Sequence, residues 1–149
     1  MSRGCLFATS LSLVAASLAL AACGSESPSA ALRNWAANAN LTRNSAQLTL
    51  DARHVLSALN DVHSTGAQLR TVCGVLDLET LQANSALPTP DAQTTSLLST
   101  AYTDLGDGAN ECYVALGSVA KRDRAVAFLQ RAGAKLSQAQ VRVSTLVSS

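Results

Sequence analysis

The chain is poor in aromatic residues, in charged residues and in isoleucine. Isoleucine is absent, the single methionine is the first residue, aromatic residues make up 3% and charged residues 14%. A core must therefore be built from leucine, valine and alanine, which favours helices over sheets. A formal net charge of +1 over 149 residues supplies no strong field to attract nucleic acid. The length is that of one domain.

Residues 1–22 have the form of a secretory leader. Arg3 precedes an apolar run over residues 6–20, and residues 20–23 read Leu-Ala-Ala-Cys. The run is short for a bilayer span and ends in small residues that suit a peptidase. The segment resembles the lipobox of bacterial lipoproteins, which implies transfer of a diacylglyceryl group to the Cys23 thiol and cleavage ahead of it. The alternative is a conventional leader whose removal releases a soluble protein.

The residues after this cysteine are polar and predict a tether. Several acyl chains on Cys23 would anchor the protein stably, whereas one chain binds a membrane only marginally. We therefore expect a signal peptide over residues 1–22, a lipidated tether over 23–29 and a helical domain over 30–149. The expected location is the cell membrane, on its extracytoplasmic face.

The cysteine count predicts one disulfide. Cys5 leaves with the leader and Cys23 carries lipid, which leaves Cys73 and Cys112 in a domain that folds outside the cytoplasm. Cysteines in that setting pair. A redox pair or a metal site would need a CxxC arrangement or neighbouring histidines, and neither cysteine has them.

Helical periodicity over four stretches predicts an all-α, four-helix bundle-like domain. The helices are expected at about 30–62, 65–83, 91–118 and 122–147. Two prolines make residues 87–91 extended, so an extended Pro-containing connection joins the second helix to the third. The apolar stripes of these two helices include Cys73 and Cys112, which independently supports the disulfide.

The predicted core stripes extend to the ends of the helices. Gly106 and Gly108 in the third helix permit either a bend or a close helix contact, and the sequence leaves both open. The first stripe ends at Val62 and the third at Val119. The last helix is expected to bury Val126, Leu129, Gly133, Leu136, Gln140, Val143 and Val147.

The sequence offers no recognisable catalytic or metal-binding set. His54 and His63 are nine residues apart on one predicted helix, which places them on opposite faces. Asp51 can reach His54, but no activated serine or cysteine accompanies the pair. We therefore expect a non-enzyme with no cofactor and no metal.

Surface candidates are one aromatic and a set of basic residues. Trp35 lies in a polar part of the first helix, where a lone aromatic is more often a packing anchor than a ligand platform. The basic residues either bind a partner or pair with the acidic stretch between Arg70 and Lys121, and pairing within the bundle is the favoured interpretation. The basic set is Lys121, Arg122, Arg124, Arg131, Lys135 and Arg142.

The middle of the chain resembles small disulfide-containing helical lipoproteins of actinobacteria. The resemblance implies a disulfide-tied helical domain on the outer face of the membrane and supplies no functional residues. We expect a non-catalytic envelope module that binds a protein, a wall polymer or a small ligand. The alternative is a carrier or an enzyme with a small-ligand cavity inside the bundle. The matching residues are Cys73, Ala83-Asn84, Leu87-Pro88-Thr89-Pro90-Asp91, Ala101-Tyr102, Gly108-Ala109 and Cys112.

Overall fold

The computed structural model describes residues 26–149, so the predicted leader and Cys23 lie outside the described residues. This part of the chain consists of five α-helices and contains no strand, which confirms the all-α class. The helices are α1 (Pro28–Asn38), α2 (Leu41–Asn60), α3 (Gly66–Asn84), α4 (Ala92–Tyr113) and α5 (Val119–Ser148).

Helices α2 to α5 form a four-helix bundle in which each helix packs against the next one along the chain, and α5 closes the ring against α2. α1 packs across α5 and α2. Arg122 at the start of α5 donates to the carbonyl of Leu59 at the end of α2, and Arg142 near the end of α5 binds Asp91 before α4. Neighbouring helices are therefore antiparallel.

The two ends of the bundle differ in what they carry. We call the end with the 61–65 and 114–118 connections the distal end. The opposite, proximal end holds residues 85–91 and the start of α1, and there Arg33 donates to the carbonyl of Val147 over 2.8 Å. The described part of the chain therefore begins at the proximal end.

The prediction of one continuous first helix is wrong, because the structure divides this segment into α1 and α2. Asn40 adopts a left-handed conformation with φ 48° and ψ 39°, which asparagine tolerates better than most residues. α1 starts at Pro28, since Ser27 accepts a bond from the Ala30 amide and proline suits the first helical position. The end of the predicted tether is thus already helical.

Caps set the other helix ends. Thr65 and Gln68 form a capping box at the start of α3, and Ser118 caps α5 three residues earlier than predicted for a helix starting at residue 122. α4 stops at Tyr113, before the predicted residue 118. Val119 is therefore 74% exposed and, like Val62 beyond α2, which is 81% exposed, does not belong to the core.

The predicted packing stripe on α5 is shifted by one residue at several positions. Gly133 and Gln140 are exposed and Val126 and Val147 are only half-buried, whereas Leu129 is buried as predicted. The small residues of the observed stripe let α4 approach α5 closely. The buried residues are Ala125, Leu129, Ala132, Leu136, Ala139 and Val143.

Close packing explains Gly108. A Cβ atom there would lie 2.8 Å from Cδ2 of Leu129 and 3.3 Å from Cβ of Phe128 on α5. α4 is one continuous helix through this position. Of the two roles left open by the sequence, Gly108 therefore serves close helix contact.

Alanine substitutions at two helical glycines should act in opposite directions. Gly108→Ala is expected to lower the free energy of unfolding by about 1 kcal/mol because the added methyl group overpacks the α4–α5 seam. Gly133→Ala should raise it by about 0.5 to 1 kcal/mol, since a Cβ there meets no atom within 4 Å. Urea unfolding followed by circular dichroism measures both. Equal signs for the two variants would contradict this packing.

The predicted disulfide is confirmed. Cys73 of α3 and Cys112 of α4 are bonded, with Cα atoms 6.0 Å apart. Both residues are buried to 1% exposure or less. The bridge is thus part of the core and ties α3 directly to α4.

Candidate binding surface

Three of the predicted basic residues bind carboxylates of the same bundle. Arg122 in addition donates to a backbone carbonyl of α2. These contacts support pairing within the bundle as the use of this charge. Lys121 and Lys135 form no ion pair with residues 26–149. The pairs are Arg124 with Glu111, Arg131 with Asp104 and Arg142 with Asp91.

The pair with the shortest N–O distance lies at the proximal end. Arg142 donates from Nε and Nη2 to the two carboxylate oxygens of Asp91 over 2.6 and 2.8 Å. Asp91 also caps α4 by accepting bonds from the amide and hydroxyl of Thr94. The hydrogen-bonded Arg142 guanidinium, helped by Thr94, holds the pKa of Asp91 well below its ordinary value of 3.8. Asp91 therefore joins the start of α4 to α5.

Trp35 acts as a packing anchor. Its indole is half-buried against the core, and its Nε1 donates to the carbonyl of Ala86 over 2.9 Å. The bond ties α1 to the connection between α3 and α4. Trp35 is thus not the free aromatic surface that its candidate role requires.

The Asp51 and His54 pair does not form a recognisable catalytic site. Asp51 is buried and accepts a hydrogen bond from Gln47, while the His54 side chain is 59% exposed and its Nδ1 lies 3.9 Å from the carboxylate. Within residues 26–149 no group of three His, Cys, Asp or Glu side chains is placed to hold a metal ion. Burial raises the pKa of Tyr102 to about 12, so this phenol is no proton acceptor near neutral pH.

Open grooves lie along α5. Two of them, of about 450 and 560 Å³, flank its C-terminal part and share Val141. Their linings contain no carboxylate, histidine or cysteine. Ala132 and Ala139, on the seam where a cavity was predicted as the alternative, are fully buried. Within the described residues, no helix has the combined length and apolarity that crossing a membrane requires.

The feature that stands out is an apolar stripe on the outer face of α3, which we define as Val75, Leu78 and Leu81. These side chains are 43%, 68% and 59% exposed. They follow one another at three-residue spacing and therefore share one side of the helix. The opposite side of α3 carries the buried core residues Leu69, Cys73, Leu76, Thr80 and Ala83. α3 thus has two apolar sides, only one of which is covered by the bundle.

Acidic residues border the α3 stripe. Helical geometry places Asp77 about 100° to one side of Leu78 and Glu79 about 100° to the other. Asp77 also lines a shallow depression of about 260 Å³ between α3 and α4, together with Leu81 and Asp107. No basic residue occurs from residue 71 to residue 120. The surface therefore combines exposed apolar side chains with negative charge.

Further apolar side chains are exposed at the distal end. A Cβ at Gly66 would lie 2.9 Å from Cδ2 of Leu116, so the α4–α5 connection lies beside the start of α3. Val114 and Leu116 are 49% and 57% exposed. The distal end thus carries an apolar patch of its own, separated from the α3 stripe by the exposed polar residues Gln68, Arg70 and Thr71.

The α3 stripe is absent from the residues predicted from the sequence. The buried stripe of α3 has the stronger helical pattern, although the three-residue spacing of Val75, Leu78 and Leu81 is visible in the sequence. Comparisons with protein-family models, curated proteins and solved structures find no match to this chain.

Proposed function

We propose that this chain is a lipid-anchored binding module of the cell envelope, held on the extracytoplasmic face by Cys23. The Leu-Ala-Ala-Cys sequence at residues 20–23 supports the anchor. The disulfide between Cys73 and Cys112 supports an oxidising compartment, because such bonds are rare in the reducing cytosol. The module carries out no chemistry of its own and acts by holding a partner.

The observation that carries this proposal is the α3 stripe. Single exposed apolar residues are common, but neighbouring ones on a rigid element mark interaction surfaces. α3 is fixed by the disulfide, and among the helices of residues 26–149 it packs against α2 and α4 alone, which leaves its outer side free of the other described helices. A cavity inside the bundle, the basis of the carrier alternative, finds no support in the close contact of α4 with α5 at Gly108.

The position of the α3 stripe on the bundle is compatible with a tethered binding module. The tether would leave from the proximal end, where α1 begins, while the α3 stripe lies on the outer side of the bundle, in the second half of α3. A partner can therefore reach this surface from the side of the bundle. A short polar tether would add the freedom to rotate.

Metabolic labelling with an alkyne analogue of palmitate tests the anchor. We expect the wild type to take up the label and to stay in the membrane fraction after a high-salt wash. Cys23→Ser should lose the label, because the hydroxyl does not replace the thiol as acceptor. Cys5→Ser, inside the leader, is the matched control and should behave as wild type. Labelled Cys23→Ser, or unlabelled wild type, would contradict the proposal.

A further inference from the structure

The outer face of α3 has the pattern of a helix that packs on both sides. Its buried side faces α2 and α4, while Val75, Leu78 and Leu81 point away from the bundle. Gly74, one turn before Leu78, has nothing within 4 Å of its Cβ position. The stripe is thus a ridge of side chains beside a shallow gap at Gly74. Another helix could pack along this surface with its own side chains in the gap.

The charges around the stripe indicate the chemistry of that helix. Neither Asp77 nor Glu79 forms an ion pair with residues 26–149, whereas Asp104 and Glu111 of α4 are already paired with arginines of α5. A carboxylate that is unpaired within this part of the chain therefore lies on each side of the apolar stripe. A partner with basic residues beside an apolar row would satisfy it.

We propose that the α3 stripe docks a basic amphipathic helix of a partner protein. This inference rests on the proposed function, since it names the partner class of the same binding module. Leu78 and Leu81 would contact the apolar row of the partner helix, and Asp77 and Glu79 would pair with lysines or arginines at its edges. Recognition of an amphipathic helix by its apolar face is a recurrent mode of peptide binding.

A second copy of this chain fits the surface less well. Two α3 stripes packed against each other would bring Asp77 and Glu79 of one copy close to the same residues of the other, and like charges at an interface oppose association.

The probe for this proposal is a synthetic helical peptide of about 18 residues, long enough to follow α3. It carries leucine at three- and four-residue spacing and lysine on both flanks. Its matched control has glutamate in place of every lysine. Binding to the membrane-extracted protein in neutral detergent is measured by calorimetry, at low and at high salt.

We expect the lysine peptide to bind and the glutamate peptide not to bind. Leu78→Ser/Leu81→Ser should weaken binding at least about tenfold, because it removes the apolar contact. Asp77→Asn/Glu79→Gln should weaken binding and reduce its dependence on salt. The matched controls are Leu50→Ser, at a residue 46% exposed on α2, and Asp123→Asn on α5, and both should bind as wild type.

Three outcomes would overturn the proposal. They are equal binding of both peptides, unchanged binding by Leu78→Ser/Leu81→Ser, and a wild-type dimer in sedimentation that this variant dissociates. The last would assign the surface to a second copy. Circular dichroism of each variant shows that it is folded. Failure of the anchor is separate, because an unlabelled chain that still binds the peptide at the α3 stripe would refute lipidation and leave the docking surface intact.

Discussion

Replacing Cys73 and Cys112 together by alanine should lower the free energy of unfolding by about 4 kcal/mol. The two residues are 39 positions apart, so the bridge closes a long loop and removes much of the freedom of the unfolded chain. Both side chains are buried, and alanine leaves no unsatisfied polar group behind. Urea unfolding at neutral pH measures the change.

Reduction provides the control for this prediction. A reductant should destabilise the wild type by a similar amount and leave the alanine variant unchanged. Since α2 and α4 are the only helices in the described part of the chain that contact α3, loosening the bridge should also weaken peptide binding at the α3 stripe. A loss of less than about 1 kcal/mol, ordinary for a single substitution, would show that packing alone holds α3 in place.

Removing the Asp91 carboxylate should have the next largest effect on stability. Asp91→Ala removes the N-cap of α4, which costs about 2 kcal/mol at the upper end of the usual range. The loss of the two hydrogen bonds from Arg142 acts in the same direction. Asp91→Asn keeps an oxygen that caps α4 but loses the charge and the acceptor of one Arg142 hydrogen bond, so it should be destabilised less than Asp91→Ala. Thermal unfolding of both variants separates the contribution of the N-cap to stability from that of the ion pair.

The contribution of Asp91 should depend on pH. Arg142 lowers the pKa of Asp91 in the folded protein, so the unfolded chain takes up the proton first as the pH falls. The stabilisation is thus complete above the ordinary pKa of 3.8 and is lost as the pH drops below it. The stability gap between wild type and Asp91→Asn should shrink between about pH 5 and pH 2. A stability difference that does not change with pH would contradict the ion pair. Asp123→Asn, which removes a carboxylate elsewhere on α5, is the control.

The helical class and the disulfide were predictable because both rest on local regularities. Apolar residues at three- and four-residue spacing identify helices, and the same spacing placed Cys73 and Cys112 on buried stripes before any geometry was known. Two independent patterns therefore led to the same pair of residues. The capping residues Thr65 and Asp91 were likewise readable next to their helices.

Which face of α5 is buried was not predictable in the same way. Alanine is both a strong helix former and a core residue, so an alanine-rich helix contains several stripes of similar quality. The predicted stripe through Gly133 and Gln140 lies one residue away from the observed one through Ala132 and Ala139. The choice depends on how closely α4 approaches, which is a property of the assembled bundle.

Long-range contacts account for the remaining differences. Arg142 and Asp91 are 51 positions apart, and no local pattern pairs them, although the opposite charges of the two regions indicated that pairing was available. Trp35 and Ala86 are also 51 positions apart. The break at Asn40 depends on the turn that lets α1 cross α5, since asparagine is compatible with both a helix and a left-handed turn.

The most direct test of the anchored binding module is the intact mass of the native protein extracted from membranes, before and after reduction and alkylation. We expect a chain that begins at Cys23, carries the mass of a diacylglyceryl group with or without a further acyl chain, and gains two alkyl groups only after reduction. A chain without lipid mass would contradict the anchor. Two alkyl groups gained without reduction would contradict the disulfide that fixes α3.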